Sequence, residues 1–63
     1  MKTYRIESEK GFMDLQKDEV EPVISIAKEY DKYFKPKFGT YIKDESGKEL
    51  YLIEGGVITE DYL

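Results

Sequence analysis

The sequence predicts an α+β fold: a single helix packed on a small, mostly antiparallel sheet of three or four strands, β(β)αββ, with residues 1–63 as one domain. Three observations predict it. Apolar residues alternate with polar ones near the start, recur every three or four positions in the middle, and alternate again around a turn at Glu45–Gly47.

Residues 2–8, KTYRIES, place Tyr4 and Ile6 on one face and Thr3, Arg5 and Glu7 on the other, which is a strand with one buried side. FMDLQ, residues 12–16, alternates again and predicts a second strand, with an irregular loop as the alternative. A two-residue turn at Lys10-Gly11 would set Ile6 opposite Leu15 and Ser8 opposite Met13.

Pro22 suits the first helical position, and Asp18, Glu19 and Glu21 place negative charge beside the positive end of the helix dipole. Val23, Ile26, Ala27, Tyr30, Tyr33 and Phe34 trace one apolar stripe, while Ser25, Lys28, Glu29, Asp31 and Lys32 take the wet side. The helix is expected to stop before Pro36, because a residue that precedes proline is biased away from helical geometry.

From Phe38 the period is two. A three-residue loop at Glu45, Ser46 and Gly47, with Gly47 left-handed as a bulge, pairs Asp44 with Lys48, Lys43 with Glu49, Ile42 with Leu50, Tyr41 with Tyr51 and Thr40 with Leu52; this register is preferred to a two-residue Ser46-Gly47 loop, which would set Asp44 against Glu49 and Ile42 against Tyr51. In that register Phe38, Thr40, Ile42, Leu50 and Leu52 face the helix, and Tyr41, Tyr51 and Ile53 share the opposite face. Gly55-Gly56 ends the strand. VITEDYL then forms a C-terminal tail that frays, packs back on its own sheet or adds to a neighbouring chain.

Composition narrows the chemistry. The chain has neither Cys nor His, which excludes disulfides, thiolate metal sites and the one side chain that ordinarily titrates near neutrality. A catalytic base or nucleophile would need a strongly shifted pKa in a pocket, and a one-helix domain rarely encloses the ~300 Å³ or more that small-molecule sites occupy. No enzyme activity and no cofactor are expected. The acid run DEVE, residues 18–21, lacks the alternating carboxylates, Gly and distal Glu of a calcium loop, so it reads as helix-terminal charge in solvent.

Net charge is −4 and unevenly spread. Residues 28–37 carry four Lys and two acids, whereas residues 38–63 carry six acids and two Lys. KEYDKYFKPK interleaves Lys with aromatics in the manner of a single-strand nucleic-acid surface, but helical spacing puts the aromatics on the core stripe. With Arg5 as the only Arg, no direct nucleic-acid partner is expected. MKTYRIESEK has no apolar signal core and no run reaches the ~18 apolar residues of a membrane span, so a cytoplasmic location without membrane contact is expected.

Domains this small usually add a disulfide, a metal or a partner subunit to a thin core. With disulfides and thiolate metal sites excluded and the imidazole ligand absent, a homodimer is the expected supplement. Tyr41, Tyr51 and Ile53 are its candidate interface, extended by Val57, Ile58 and Tyr62 of the tail.

The strand, long loop, helix and C-terminal hairpin, with the segment FGTYIKDESGKELYLIEGG, resemble the small uncharacterised prophage proteins of the YopT type. That resemblance implies a homodimer whose monomers hold one helix and three strands, and it carries no functional residues. A strand at FMDLQ would depart from that pattern. The expected function is a non-enzymatic interaction module, and the resemblance implies a prophage origin. The alternative is an acidic phage-type inhibitor that binds a host nucleic-acid enzyme, its 44–61 region standing in for phosphates.

Overall fold

The computed structural model describes all 63 residues, Met1–Leu63. Its elements are β1 (Lys2–Ser8), β2 (Gly11–Lys17), α1 (Glu21–Phe34), β3 (Thr40–Lys43), β4 (Glu49–Glu54) and β5 (Val57–Asp61). They form one helix on a five-stranded sheet of order β2-β1-β3-β4-β5, with every neighbouring pair antiparallel. The α+β class and the single helix are as the sequence predicts, and the strand count is higher. FMDLQ lies within β2, and the tail supplies β5. Five strands also depart from the three-stranded monomer that the prophage resemblance implies. No helix is long and apolar enough to cross a membrane.

The first hairpin turns at Glu9-Lys10, not Lys10-Gly11. Ser8 consequently faces Gly11, Ile6 faces Met13 and Tyr4 faces Leu15. A tertiary contact accounts for the difference. The Tyr30 hydroxyl of α1 donates to the Gly11 carbonyl at 2.7 Å and lies 2.8 Å from Ser8 Oγ, clasping the last residue of β1 and the first of β2. A shift of two residues preserves which face each side chain takes, so Tyr4 and Ile6 still point into the core.

The helix buries Val23, Ala27, Tyr30 and Asp31, with Val20, Ile24 and Ile26 partly covered beside them. Its buried stripe is therefore rotated from the predicted one: Tyr33 is 80% exposed, Phe34 is 42% exposed, and Asp31 is inside. The burial of Asp31 has a definite cause. Its Oδ1 accepts the Thr40 hydroxyl at 2.8 Å and its Oδ2 accepts the Gly56 N–H at 2.7 Å, so the carboxylate is satisfied where it is desolvated. Before Pro36, Lys35 adopts left-handed geometry and donates its N–H to the Asp31 carbonyl at 2.9 Å, which closes the helix.

The central hairpin keeps the predicted loop and loses the predicted register. Asp44 N–H donates to the Lys48 carbonyl, Gly47 has φ +87°, and Lys43 faces Glu49. A bulge then inserts Leu50, so Ile42 faces Tyr51, Tyr41 faces Leu52 and Thr40 faces Ile53. Leu50 and Ile53 are in the core, Tyr51 packs against it, and Leu52 moves to the opposite face. Four consecutive apolar residues, Leu50 to Ile53, cannot all be served by strict alternation. The bulge lets both Leu50 and Tyr51 reach the helix side.

Gly55-Gly56 forms a two-residue turn between Glu54 and Val57, with φ +63° and +78°. Positive φ at both positions matches the right-handed twist of the flanking strands and is readily adopted by glycine. The Gly56 bond to Asp31 fixes this turn against α1, and Tyr62 N–H donates to the Leu50 carbonyl at 3.0 Å. Of the three fates open to the tail, it packs back on its own sheet.

Candidate functional site

The helix covers one face of the sheet; the other carries no element of this chain. Register places Thr3, Arg5 and Glu7 of β1, Phe12, Asp14 and Gln16 of β2, Tyr41 and Lys43 of β3, Glu49, Leu52 and Glu54 of β4, and Val57 and Glu60 of β5 on that open face.

Half of this face is internally satisfied. The Arg5 guanidinium holds Asp14 bidentately, Nε to Oδ1 at 2.8 Å and Nη2 to Oδ2 at 3.1 Å, and lies 4.1 Å from the centre of the Phe12 ring. The Arg5 bond keeps the Asp14 carboxyl below its usual range, and Asp14 in turn raises Arg5. Lys43 Nζ meets Glu7 at 3.2 Å. A shallow cleft of about 320 Å³ lies among Thr3, Arg5, Glu7, Asp14 and Lys43.

The other half is different. Tyr41, Leu52 and Tyr62 form its apolar centre; the first two are half-buried and Tyr62 is exposed. Glu49, Glu54 and Glu60 have no basic partner within 4 Å. Tyr62 is anchored by its backbone bond to Leu50, and its hydroxyl is pushed above the ordinary tyrosine range, first by desolvation and then by Tyr41, Glu60, Glu49 and Glu54. Glu54 accepts the Thr59 hydroxyl at 2.8 Å and is otherwise free toward solvent.

The chain matches no protein-family model, no curated protein and no solved structure.

The predicted interface residues divide between the two faces. Tyr41, Val57 and Tyr62 belong to the open face. Ile53 is 0% exposed in the core and is removed from the candidate set. Tyr51 stands on the helix side, where burial and the nearby Asp61, Glu21 and Tyr4 raise its pKa. Ile58 faces Ile53 across β4 and β5 and so lies toward the helix side as well. Both corrections at Tyr51 and Ile53 follow from the single extra residue at Leu50. Leu52 and Phe12 are the members that sequence reasoning missed; Glu49, Glu54 and Glu60 fall within the acidic 44–61 region of the inhibitor alternative, with Glu49 expected to pair with Lys43. Two signals could have found Leu52: the less favoured Ser46-Gly47 loop, which sets Ile42 opposite Tyr51 as observed, and the apolar run Leu50 to Ile53, which strict alternation cannot serve.

Two other concavities exceed the size expected of so small a domain, and both are open clefts. One of about 760 Å³ lies beside the helix N-terminus among Tyr4, Val20, Leu50 and Leu63, with Asp18, Glu19, Glu21, Asp44 and Glu45 at its margin. The other, about 500 Å³, adjoins Asp31, Lys32, Lys35, Pro36 and Gly55. The DEVE carboxylates do not converge with others into a cluster of metal-ligating side chains. Each carboxylate with a displaced pKa is displaced downward: Glu9 by the Lys37 backbone N–H, Asp14 by Arg5 and Asp44 by the Ser46 hydroxyl. These groups are held ionised, opposite to the shift that prepares a carboxyl to act as a general acid at neutral pH.

Proposed function

We propose that the protein is a non-enzymatic, cytoplasmic interaction module that docks another protein on the open face of its sheet. One observation carries the reading: Tyr41, Leu52 and Tyr62 make an apolar centre on a face that no element covers, with carboxylates around it. An apolar centre with a charged rim is the anatomy of a protein interface. The lack of His and Cys supports a binding role over catalysis.

Self-association remains one form of this reading, now resting on Tyr41, Leu52 and Tyr62 in place of Tyr51 and Ile53. Affinity capture from the native cell tests it, with wild type compared with the Leu52→Ser/Tyr62→Ser variant and with Glu29→Lys on the outer side of the helix. Partners or copies retained by wild type and Glu29→Lys, and lost with a double variant that is still folded and unfolds cooperatively, are expected. Retention by the double variant equal to wild type would overturn the docking face.

A further inference from the structure

Resting on that docking face, we infer that its occupant is an arginine-rich segment of another protein, whose guanidinium groups enter the Tyr41–Leu52–Tyr62 patch between Glu49, Glu54 and Glu60. The face itself contains the precedent. Over β1 and β2, Arg5 lies against an aromatic ring, Phe12, and is clasped by a carboxylate, Asp14. Over β3, β4 and β5 the same components recur, aromatic rings with carboxylates, but Lys43, which faces Glu49 across the strands, turns its ammonium to Glu7, and no cation of the chain lies within 4 Å of Glu49, Glu54 or Glu60. A partner's arginine would complete the arrangement that Arg5 completes next door.

Charge selects this occupant over a second copy. The open face carries five acids, Glu7, Asp14, Glu49, Glu54 and Glu60, against Arg5 and Lys43. Arg5 and Lys43 are already committed to Asp14 and Glu7, so the excess negative charge sits on the three glutamates beside Tyr62. Two copies placed face to face would oppose like excess charge while desolvating it, whereas a cationic segment neutralises it. Arginine fits better than lysine because its planar guanidinium can stack on a tyrosine ring while it bonds a carboxylate in a fork.

The test uses the whole chain and short synthetic peptides of alternating arginine and serine, with lysine-serine and glutamate-serine peptides of equal length. Amide chemical shifts are followed at low and high salt. The arginine peptide is expected to shift Tyr41, Glu49, Leu52, Glu60 and Tyr62, to bind more tightly than the lysine peptide, and to weaken roughly tenfold as salt screens the contact. Glu49→Lys/Glu54→Lys/Glu60→Lys is expected to abolish these shifts while thermal unfolding stays cooperative. Shifts confined to the 760 Å³ cleft, equal binding of the glutamate peptide, or a wild type that is dimeric through this face by sedimentation equilibrium would each overturn the cationic occupant. The dimer outcome would leave the docking face itself standing. Loss of a captured cellular partner with Leu52→Ser/Tyr62→Ser but not with the triple charge reversal would likewise overturn only the occupant.

Discussion

The Thr40 hydroxyl donates to Oδ1 of Asp31 at 2.8 Å, and both residues are buried. Through this pair the start of β3 is tied to the last turn of α1, and Oδ2 of the same carboxylate adds the β4–β5 turn through Gly56. Asp31→Ala leaves a buried hydroxyl and a buried N–H without their acceptor. It is expected to cost about 3 kcal/mol in urea unfolding, and Thr40→Val about 1–2 kcal/mol. A loss below about 1 kcal/mol for Asp31→Ala would show that the network does not hold the three elements together.

The bulge at Leu50 assigns opposite fates to neighbouring residues. Ile53→Ala removes packing from a fully buried site and is expected to cost about 3 kcal/mol, while Leu52→Ala on the open face costs about 1 kcal/mol or less. The uninterrupted alternation would reverse that order, so the two denaturation midpoints decide between registers.

Gly39 precedes β3 with φ +83°, and a Cβ there would stand 3.0 Å from both the Ile53 carbonyl oxygen and Leu52 Cδ1, and 2.8 Å from Glu54 Cγ. Gly39→Ala combines left-handed strain with a clash against backbone and is expected to lower stability by about 2–3 kcal/mol. Truncating Glu54 to Ala in that background relieves only one of the three contacts. Full recovery of the melting temperature in the Gly39→Ala/Glu54→Ala protein would disprove the backbone clash.

Acid should loosen the hairpins before it reaches the core. Glu9 accepts backbone N–H groups from Lys37 and Phe38, Asp14 is clasped by Arg5, and Asp44 accepts the Ser46 hydroxyl and the Ser46 and Lys48 N–H groups inside its loop. All three are lowered from their ordinary 4.5, 3.8 and 3.8. A carboxyl more acidic folded than unfolded contributes stability that is complete above the ordinary value and is lost as pH falls through the folded one. The melting temperature should therefore be level above about pH 5 with respect to these groups and decline below it. Glu9→Gln should flatten part of that decline, and an unchanged slope would remove Glu9 from the account.

Much of the fold was legible because local chemistry decides it. Tyr4 and Ile6 alternate with Thr3, Arg5 and Glu7, Pro22 and Pro36 bracket a helix, and Gly47 closes a loop at the expected place. Gly55-Gly56 was equally legible as punctuation. Its reading as a strand end followed by a tail missed that two glycines with positive φ make the tightest hairpin connection. The site was less legible: Tyr41 was assigned to the face away from the helix, Val57 and Tyr62 were named only as tail residues extending an interface, Tyr51 and Ile53 were set on that face wrongly, Leu52 was assigned to the core, and Glu49, Glu54 and Glu60 stood out only as part of an acidic stretch.

By itself the sequence determined the class of the fold, the single helix, the apolar face of β1 and the exclusion of thiol and imidazole chemistry. Those follow from periodicity, proline geometry and composition, which act within a few residues. Tertiary structure alone decided that Asp31 belongs inside, that Tyr30 sets the first hairpin's turn, and that Leu50 is the extra residue that sends Ile53 in and Leu52 out. Each depends on partners distant in sequence, Thr40 and Gly56 for Asp31, Ser8 and Gly11 for Tyr30, and β3 for Leu50. A buried polar group is stable only where its partners meet it, and that meeting is a property of the folded chain.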